Sequence, residues 1–313
     1  MAACTEKLRG LRAAMHIVIA GCGYLGQELA RQALAAGHSV LGLTRSADSA
    51  LALRRESLPA RDADLSDAAA LARLAAECPG DTAVVHCAAG GKGGGPDTYR
   101  TVYLEGMRNL RAAFPGAARL VFTSSTSVYA QTDGSLVSED SPALPDRESG
   151  RLLRATEDET LAAGGTVLRL AGIYGPGRSV LLRQFLAGES VIDVRTAPPA
   201  TPDGRWVNQI HRTDAAAALL MAATGALTPG IYNTADSTPM LQRTIYEELA
   251  RRFARPLPPE CAPDSTRKRG WTHKQAANSR LRAAGWQPHY PSWFAALDND
   301  PALVPSVREQ LRP

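Results

Sequence analysis

Residues Ile17–Gly26 read IVIAGCGYLG. The apolar run Ile17–Ala20 predicts a buried strand. Gly21-Cys22-Gly23-Tyr24-Leu25-Gly26 follows it at once as a G-x-G-x-x-G, and Leu25, Leu29, Ala33 and Leu34 then recur at helical spacing. Between a strand and a helix, such a glycine run is the fingerprint of a dinucleotide site. Gly21 permits the tight turn, Gly23 lets backbone approach a pyrophosphate, and Gly26 lets helix and strand pack closely. Tyr24 and Leu25 open a helix whose N-terminus faces the anion. The competing reading is a glycine turn in an ordinary α/β protein.

Working outward, His38–Leu43 is a second strand that ends in Thr44-Arg45-Ser46. The strand end about 20 residues past the glycines selects the cofactor: an acid there binds the ribose 2′-OH, whereas an arginine accommodates a 2′-phosphate. Arg45 therefore favours NADP over NAD, against the plainer reading of a solvated arginine. Residues 58–65 give a third strand ending in Asp64-Leu65, Ser66–Cys78 a helix, and Thr82–Ala88 a fourth strand. This alternation predicts an α/β fold, a doubly wound parallel Rossmann sheet whose ligands lie beyond the carboxyl ends of the strands. A glycine-rich loop carrying Lys92 leaves that end. The helix Asp97–Phe114 and a fifth strand, Arg119–Phe122, lead into Thr123–Tyr129.

The bulk properties exclude several classes. The chain has 313 residues, of which 44% are hydrophobic, and its 35 basic and 31 acidic residues leave a net charge of +4. The charges form no basic stripe, which argues against nucleic acid. Five scattered cysteines without a CxxC argue against a disulfide framework or a metal site and fit a reducing cytoplasm. No apolar run approaches the ~20 residues that span a bilayer. Residues 1–14 lack a signal-peptide core and read as an extension, with Met15 as an alternative start. Lysine occurs only at positions 7, 92, 268 and 274.

Six short stretches carry a family resemblance. Ala20–Gly26, Asp64-Leu65, Val85–Ala89, Thr123–Tyr129, Leu168–Gly177 and Ile210–Asp214 resemble, in order and spacing, the motifs of the NAD-dependent epimerase/dehydratase family. These are the extended short-chain dehydrogenases/reductases. The resemblance implies a Rossmann domain over residues 15–172, to which 205–235 return, and a smaller α/β substrate lobe from 173–204 and 236–313. It implies that Asp64 and Leu65 flank the adenine, that Ala88 and Ala89 line the cofactor groove, and that Ser125 supplies the catalytic hydroxyl. It also implies a Tyr-x-x-x-Lys pair about 25 residues later, and it allows a homodimer.

That pair is missing. With Glu157 as the helical glutamate, Ser149 and Leu153 stand in its place; shifted by one, Gly150 and Arg154 do. No lysine lies between Lys92 and Lys268, and no tyrosine between Tyr129 and Tyr174. Tyr103 stands where the family has an asparagine, Thr126 and Ser127 replace the dehydratase acids, and Gly172 replaces a diphosphate-binding asparagine. The chain thus resembles an atypical branch. Its expected function is NAD(P)-dependent oxidoreductase or epimerase chemistry on a small-molecule hydroxyl or carbonyl, with Tyr129, Tyr103, Tyr174, Lys92 or water as proton donor. The alternative is a degenerate NADP(H)-binding or sensing protein. Tyr103, Tyr174, Arg178, Trp206 and His211 are the candidate substrate-side residues. The basic run Arg267-Lys268-Arg269 and Lys274 reads as a solvated face or loop.

Overall fold

The computed structural model describes residues 14–90, 95–197, 200–264 and 272–312. The first half alternates β1 (His16–Ala20), α1 (Tyr24–Ala35), β2 (Ser39–Thr44), α2 (Ala47–Arg55), β3 (Ala60–Asp62), α3 (Ala68–Ala76) and β4 (Ala83–His86). Next come α4 (Pro96–Tyr99), a π-helical segment (Arg100–Glu105), α5 (Gly106–Ala113) and β5 (Arg119–Ser125). A 3₁₀ turn (Thr126–Val128), β6 (Leu136–Val137), α6 (Glu148–Ala162), β7 (Thr166–Leu170), β8 (Gly172–Tyr174) and α7 (Val180–Ala187) follow. The remainder holds β9 (Ile192–Asp193), β10 (Trp206–Val207), β11 (Gln209–His211), α8 (Arg212–Ala223), β12 (Gly230–Thr234), β13 (Met240–Leu241) and α9 (Gln242–Phe253). It closes with β14 (Glu260–Cys261), β15 (Gln275–Ala276), α10 (Ser279–Ala283), α11 (Trp293–Asn299) and α12 (Leu303–Glu309).

Seven strands form one parallel sheet in the order β12-β7-β5-β4-β1-β2-β3. Strands buried on both faces are uniformly apolar, as IVIA of β1 and AVVH of β4 are here: Ile17–Ala20 and Ala83–Val85 are fully buried. The chain leaves β1 for β2 on one side and places β4 on the other. That reversal is the switch point at which such sheets open a crevice. Helices α1 and α8 pack together, as do α3, α5 and α6. A second apolar cluster, with Leu182, Phe185, Tyr246 and Trp293, gathers α7, α9 and α11 apart from the main core.

One element differs from the sequence reading. The helix read as Asp97–Phe114 carries the π segment Arg100–Glu105 between two α-helical parts, a local widening common near functional sites. Helix α9 starts at Gln242, because Met240 and Leu241 before it pair with β10.

A buried ion pair ties the sheet to α6. Arg169 of β7 (2% exposed) donates Nε to Glu157 Oε1 at 3.0 Å and Nη2 to Oε2 at 2.7 Å, and Glu157 is fully buried. Ser124 and Arg154 donate to the same carboxylate. Removing one partner strands a buried charge, which costs about 3–5 kcal/mol, whereas replacing both with apolar groups costs far less. Glu157→Ala therefore lowers the urea-unfolding free energy by about that amount, and Glu157→Leu combined with Arg169→Met recovers most of it. Equal losses in the single and double variants would show that the pair is not held as described.

Candidate active site

The carboxyl ends of the strands open into one cleft of about 1880 Å³. Its floor starts at the glycine loop, where each glycine has a distinct environment. Gly21 has φ +94°, and a Cβ there would lie 2.2 Å from the Ala88 nitrogen. A Cβ on Gly26 would meet the Gly21 carbonyl at 2.7 Å and Ile19 at 3.0 Å. A Cβ on Gly23, by contrast, would meet nothing within 4 Å. Gly21 and Gly26 thus serve chain packing, and Gly23 leaves backbone bare toward the cleft. The first turn of α1, with no side-chain cap, presents free N–H groups beside it. These features fit a dinucleotide pyrophosphate.

The same cleft is lined by Gly21, Gly23, Tyr24, Leu25, Arg45, Asp64, Leu65, Ala88 and Ala89. Arg45 is exposed just past β2 and has no ion pair among the described residues. Asp64 accepts from the Ser66 backbone and hydroxyl, both at 2.8 Å, and these bonds, aided by Arg45, hold its carboxyl below the usual value. Tyr24 donates to the Pro176 carbonyl at 3.0 Å, linking the glycine loop to the turn after β8. Arg212 and Arg178 lie 4.6 and 5.3 Å from its ring centre, and burial pushes its phenol up to about 12.

Ser125 ends β5 and lines the cleft. Its oxygen accepts the Ser127 N–H at 3.2 Å, which leaves the hydroxyl proton available to a bound carbonyl. Tyr103 rises from the π segment into the cleft, and its hydroxyl lies 3.4 Å from the Gly90 nitrogen. Arg178, beside the Tyr24 ring, and Trp206 also line the cleft.

The missing pair has a structural counterpart. Ser149, Gly150 and Leu153, at the start of α6, all line the cleft, so this is the surface that faces a ligand. A Cβ on Gly150 would sit 2.5 Å from Pro145, which fills that side. Arg154 is not in the lining; it pairs with Glu157 and Asp158. None of the three cleft residues supplied by α6 can titrate.

Several candidate residues are held by the interior. Tyr129 borders the cleft but is only 1% exposed, and its hydroxyl donates to Asn233 Oδ1 and accepts from Arg169 Nη1, both at 2.8 Å. Burial raises its pKa despite Arg169, so its phenol is committed to the interior. Tyr174 is 1% exposed and packs in the second apolar cluster, outside the cleft lining, with its pKa raised by burial. His211 is 2% exposed and also outside the lining; its Nδ1 accepts from Thr213 at the start of α8 and its Nε2 contacts Asp300 at 3.1 Å. It is an anchor for α8, and burial lowers its pKa. Lys92 lies outside the described residues.

Lys274 departs from the reading of a solvated basic run, whose other members, Arg267, Lys268 and Arg269, lie outside the described residues. It is 3% exposed, lines the cleft, and donates Nζ to the Tyr129 carbonyl at 2.8 Å. Loss of solvent, with Arg205 nearby, pulls its pKa down to about 8. Sequence reading missed it because it lies far along the chain from β5 and borders a basic run. The one available signal was β15, too short to show a period.

The comparisons agree with this geometry. A model of the NAD dependent epimerase/dehydratase family matches residues 17–235. Protein YeeZ of Escherichia coli K12 is 30% identical over 249 residues, 75% of this chain and 82% of its own length. The dTDP-4-dehydrorhamnose reductase of Mycolicibacterium smegmatis is 31% identical over 242 residues, 72% of this chain and 65% of the relative. A structure of a putative NAD-dependent epimerase/dehydratase from Methylobacillus flagellatus is 31% identical, covers 95% of this chain and all of its own, and superposes with a TM-score of 0.70. The sheet order, the glycine loop and these matches agree: the chain belongs to the NAD-dependent epimerase/dehydratase family.

Proposed function

We propose that this protein is an NADP(H)-dependent oxidoreductase that interconverts a carbonyl and a hydroxyl on a small polar molecule. The observation that carries this reading is that one cleft is lined by the bare backbone of Gly23 and also by Ser125, Arg178 and Trp206. A nucleotide sensor needs only the first of these. Typical ligand cavities measure roughly 300–1,000 Å³, so the larger volume here suits a dinucleotide together with a second molecule.

The glycine loop and the α1 N-terminus hold the pyrophosphate, Asp64 and Leu65 border the adenine, and Ala88 and Ala89 flank the groove beyond. Arg45 meets the 2′-phosphate, with Ser46, whose side chain caps the first turn of α2, and Ser49 beside it. The cofactor supplies hydride exchange when bound. Ser125 donates its hydroxyl proton as a hydrogen bond to the substrate oxygen and orients it. Arg178, free of ion pairs among the described residues, offers a planar fork to an anionic substituent of the substrate. Tyr103 and Trp206 wall the substrate space.

Three outcomes test this reading. Gly23→Ala has open space for its methyl group, so it keeps the wild-type melting temperature but weakens NADPH binding at least about tenfold in calorimetric titration. Arg45→Ala loses a charge-assisted contact of about 1.5–3 kcal/mol, or roughly 10–100-fold in NADPH affinity, and leaves NADH unchanged. Equal losses for both nucleotides would remove the 2′-phosphate assignment. Ser125→Ala slows NADPH-dependent reduction of 4-nitrobenzaldehyde or ethyl acetoacetate without changing NADPH affinity. Unaltered turnover in that variant would exclude Ser125 from the chemistry.

A further inference from the structure

The α6 face that should carry the acid/base pair bears Ser149, Gly150 and Leu153, and the phenol of Tyr129 is consumed by Asn233 and Arg169. Among the described residues, the cleft still contains one buried amine, that of Lys274. An ammonium has three N–H donors, and among the described residues that of Lys274 has a single hydrogen-bond partner, the Tyr129 carbonyl. A buried ammonium without a carboxylate partner is expensive, and no ion pair to Lys274 exists among the described residues.

The backbone around Lys274 is held from three sides. Asn208 accepts from the Ala276 N–H at 2.7 Å and donates to the Lys274 carbonyl at 2.8 Å. His273 Nδ1 accepts the Trp206 N–H at 3.1 Å, and its carbonyl accepts the Gly134 N–H at 2.8 Å. Strand β15, starting at the next residue, pairs with β6. This stretch, whose Ala276 packs in the main core, is thereby fastened against the loop that follows β5, where it delivers a long basic side chain into the cleft. A mere surface lysine requires no such clamp.

We propose that Lys274 is the proton donor and acceptor of this protein, in place of the family's Tyr-x-x-x-Lys pair. The proposal rests on the oxidoreductase reading above. In reduction, the substrate carbonyl carbon gains the hydride supplied by NADPH and its C=O π pair moves to oxygen. That oxygen takes a proton from Lys274 as the Nζ–H bond breaks. The products are the alcohol, NADP⁺ and a neutral amine, which regains a proton from water; oxidation runs the same steps in reverse. Ser125 holds the oxygen while the proton moves. Among the described residues the charge that acts on Lys274 is Arg205, which is itself paired with Asp193 at 3.2 Å; His273 adjoins in sequence with its Nδ1 already bonded, and the Tyr129 phenol is turned toward Asn233. An amine poised near neutrality suits proton transfer in both directions.

Two measurements on the full-length protein test this. Because the chain has only four lysines, acetic anhydride labelling can be followed peptide by peptide, with cleavage after arginine isolating residues 270–280. The proposal requires Lys274 to acylate with a midpoint near pH 8, below the roughly 10.4 of an unperturbed lysine. A Lys274 that stays unlabelled at pH 9 in the folded protein is a sealed structural group and overturns it. In the second measurement, Lys274→Met lowers kcat for NADPH-dependent reduction of 4-nitrobenzaldehyde or ethyl acetoacetate by about 10²–10⁴, and abolishes the decline of kcat above pH 8. NADPH affinity is unchanged, and Lys274→Arg gives no rescue, because guanidinium keeps the charge but yields no proton. Wild-type kcat in Lys274→Met, or full rescue by arginine, overturns the proposal and leaves the oxidoreductase reading standing. Failure of the wild type to bind NADPH strikes that reading instead, and the labelling result still decides whether the amine faces the cleft.

Discussion

The buried Glu157–Arg169 pair is the constraint from which the site is built. Its two hydrogen bonds join α6 to β7, and the pair extends on both sides: Ser124 at the end of β5 donates to Glu157, and Arg169 donates to the Tyr129 hydroxyl. Tyr129 in turn donates to Asn233 of β12, whose backbone N–H reaches Glu139 at 2.8 Å. The network therefore locks together the carboxyl ends of three adjacent strands and the loop after β5. A charge cluster this deep adds little net stability. Its effect is to leave the strand ends, and with them Ser125, one available position.

The same network removes Tyr129 from chemistry and gives its backbone another task. With the phenol fixed inward, the Tyr129 carbonyl turns to the Lys274 ammonium. The family's usual acid/base position, meanwhile, holds groups without a titratable proton. In the proposed mechanism, proton transfer has moved from a tyrosine on α6 to a lysine just before β15, while Ser125 retains its role. Such a relocation makes the site depend on contacts distant in sequence: β15 must pair with β6, and Asn208 must hold the strand, before the amine is in position.

The large sheet was legible in the sequence because its strands are buried on both faces, so each reads as a short apolar run followed by a turn. IVIA before the glycines and TVLRL at residues 166–170 are of that kind. The glycine loop was equally plain, since each of its three glycines answers a separate steric demand. Tyr174 and His211 were harder: an aromatic or imidazole in a motif reads alike whether it faces a cleft or packs against Trp293 or Asp300. Lys274 was invisible for a further reason. Its burial depends on pairings with β6 and Asn208, which lie more than 60 residues away in sequence. Local composition, dominated by the neighbouring arginines, pointed to solvent.

A crystal structure of the protein with NADP⁺ tests the central claim most directly. The account predicts the pyrophosphate over Gly23, the 2′-phosphate against Arg45, and the nicotinamide ring in the space bordered by Ser125 and Lys274, with the Lys274 amine open to that space. A nicotinamide that lies elsewhere, or an amine walled off from it by the loop after β5, would contradict the account.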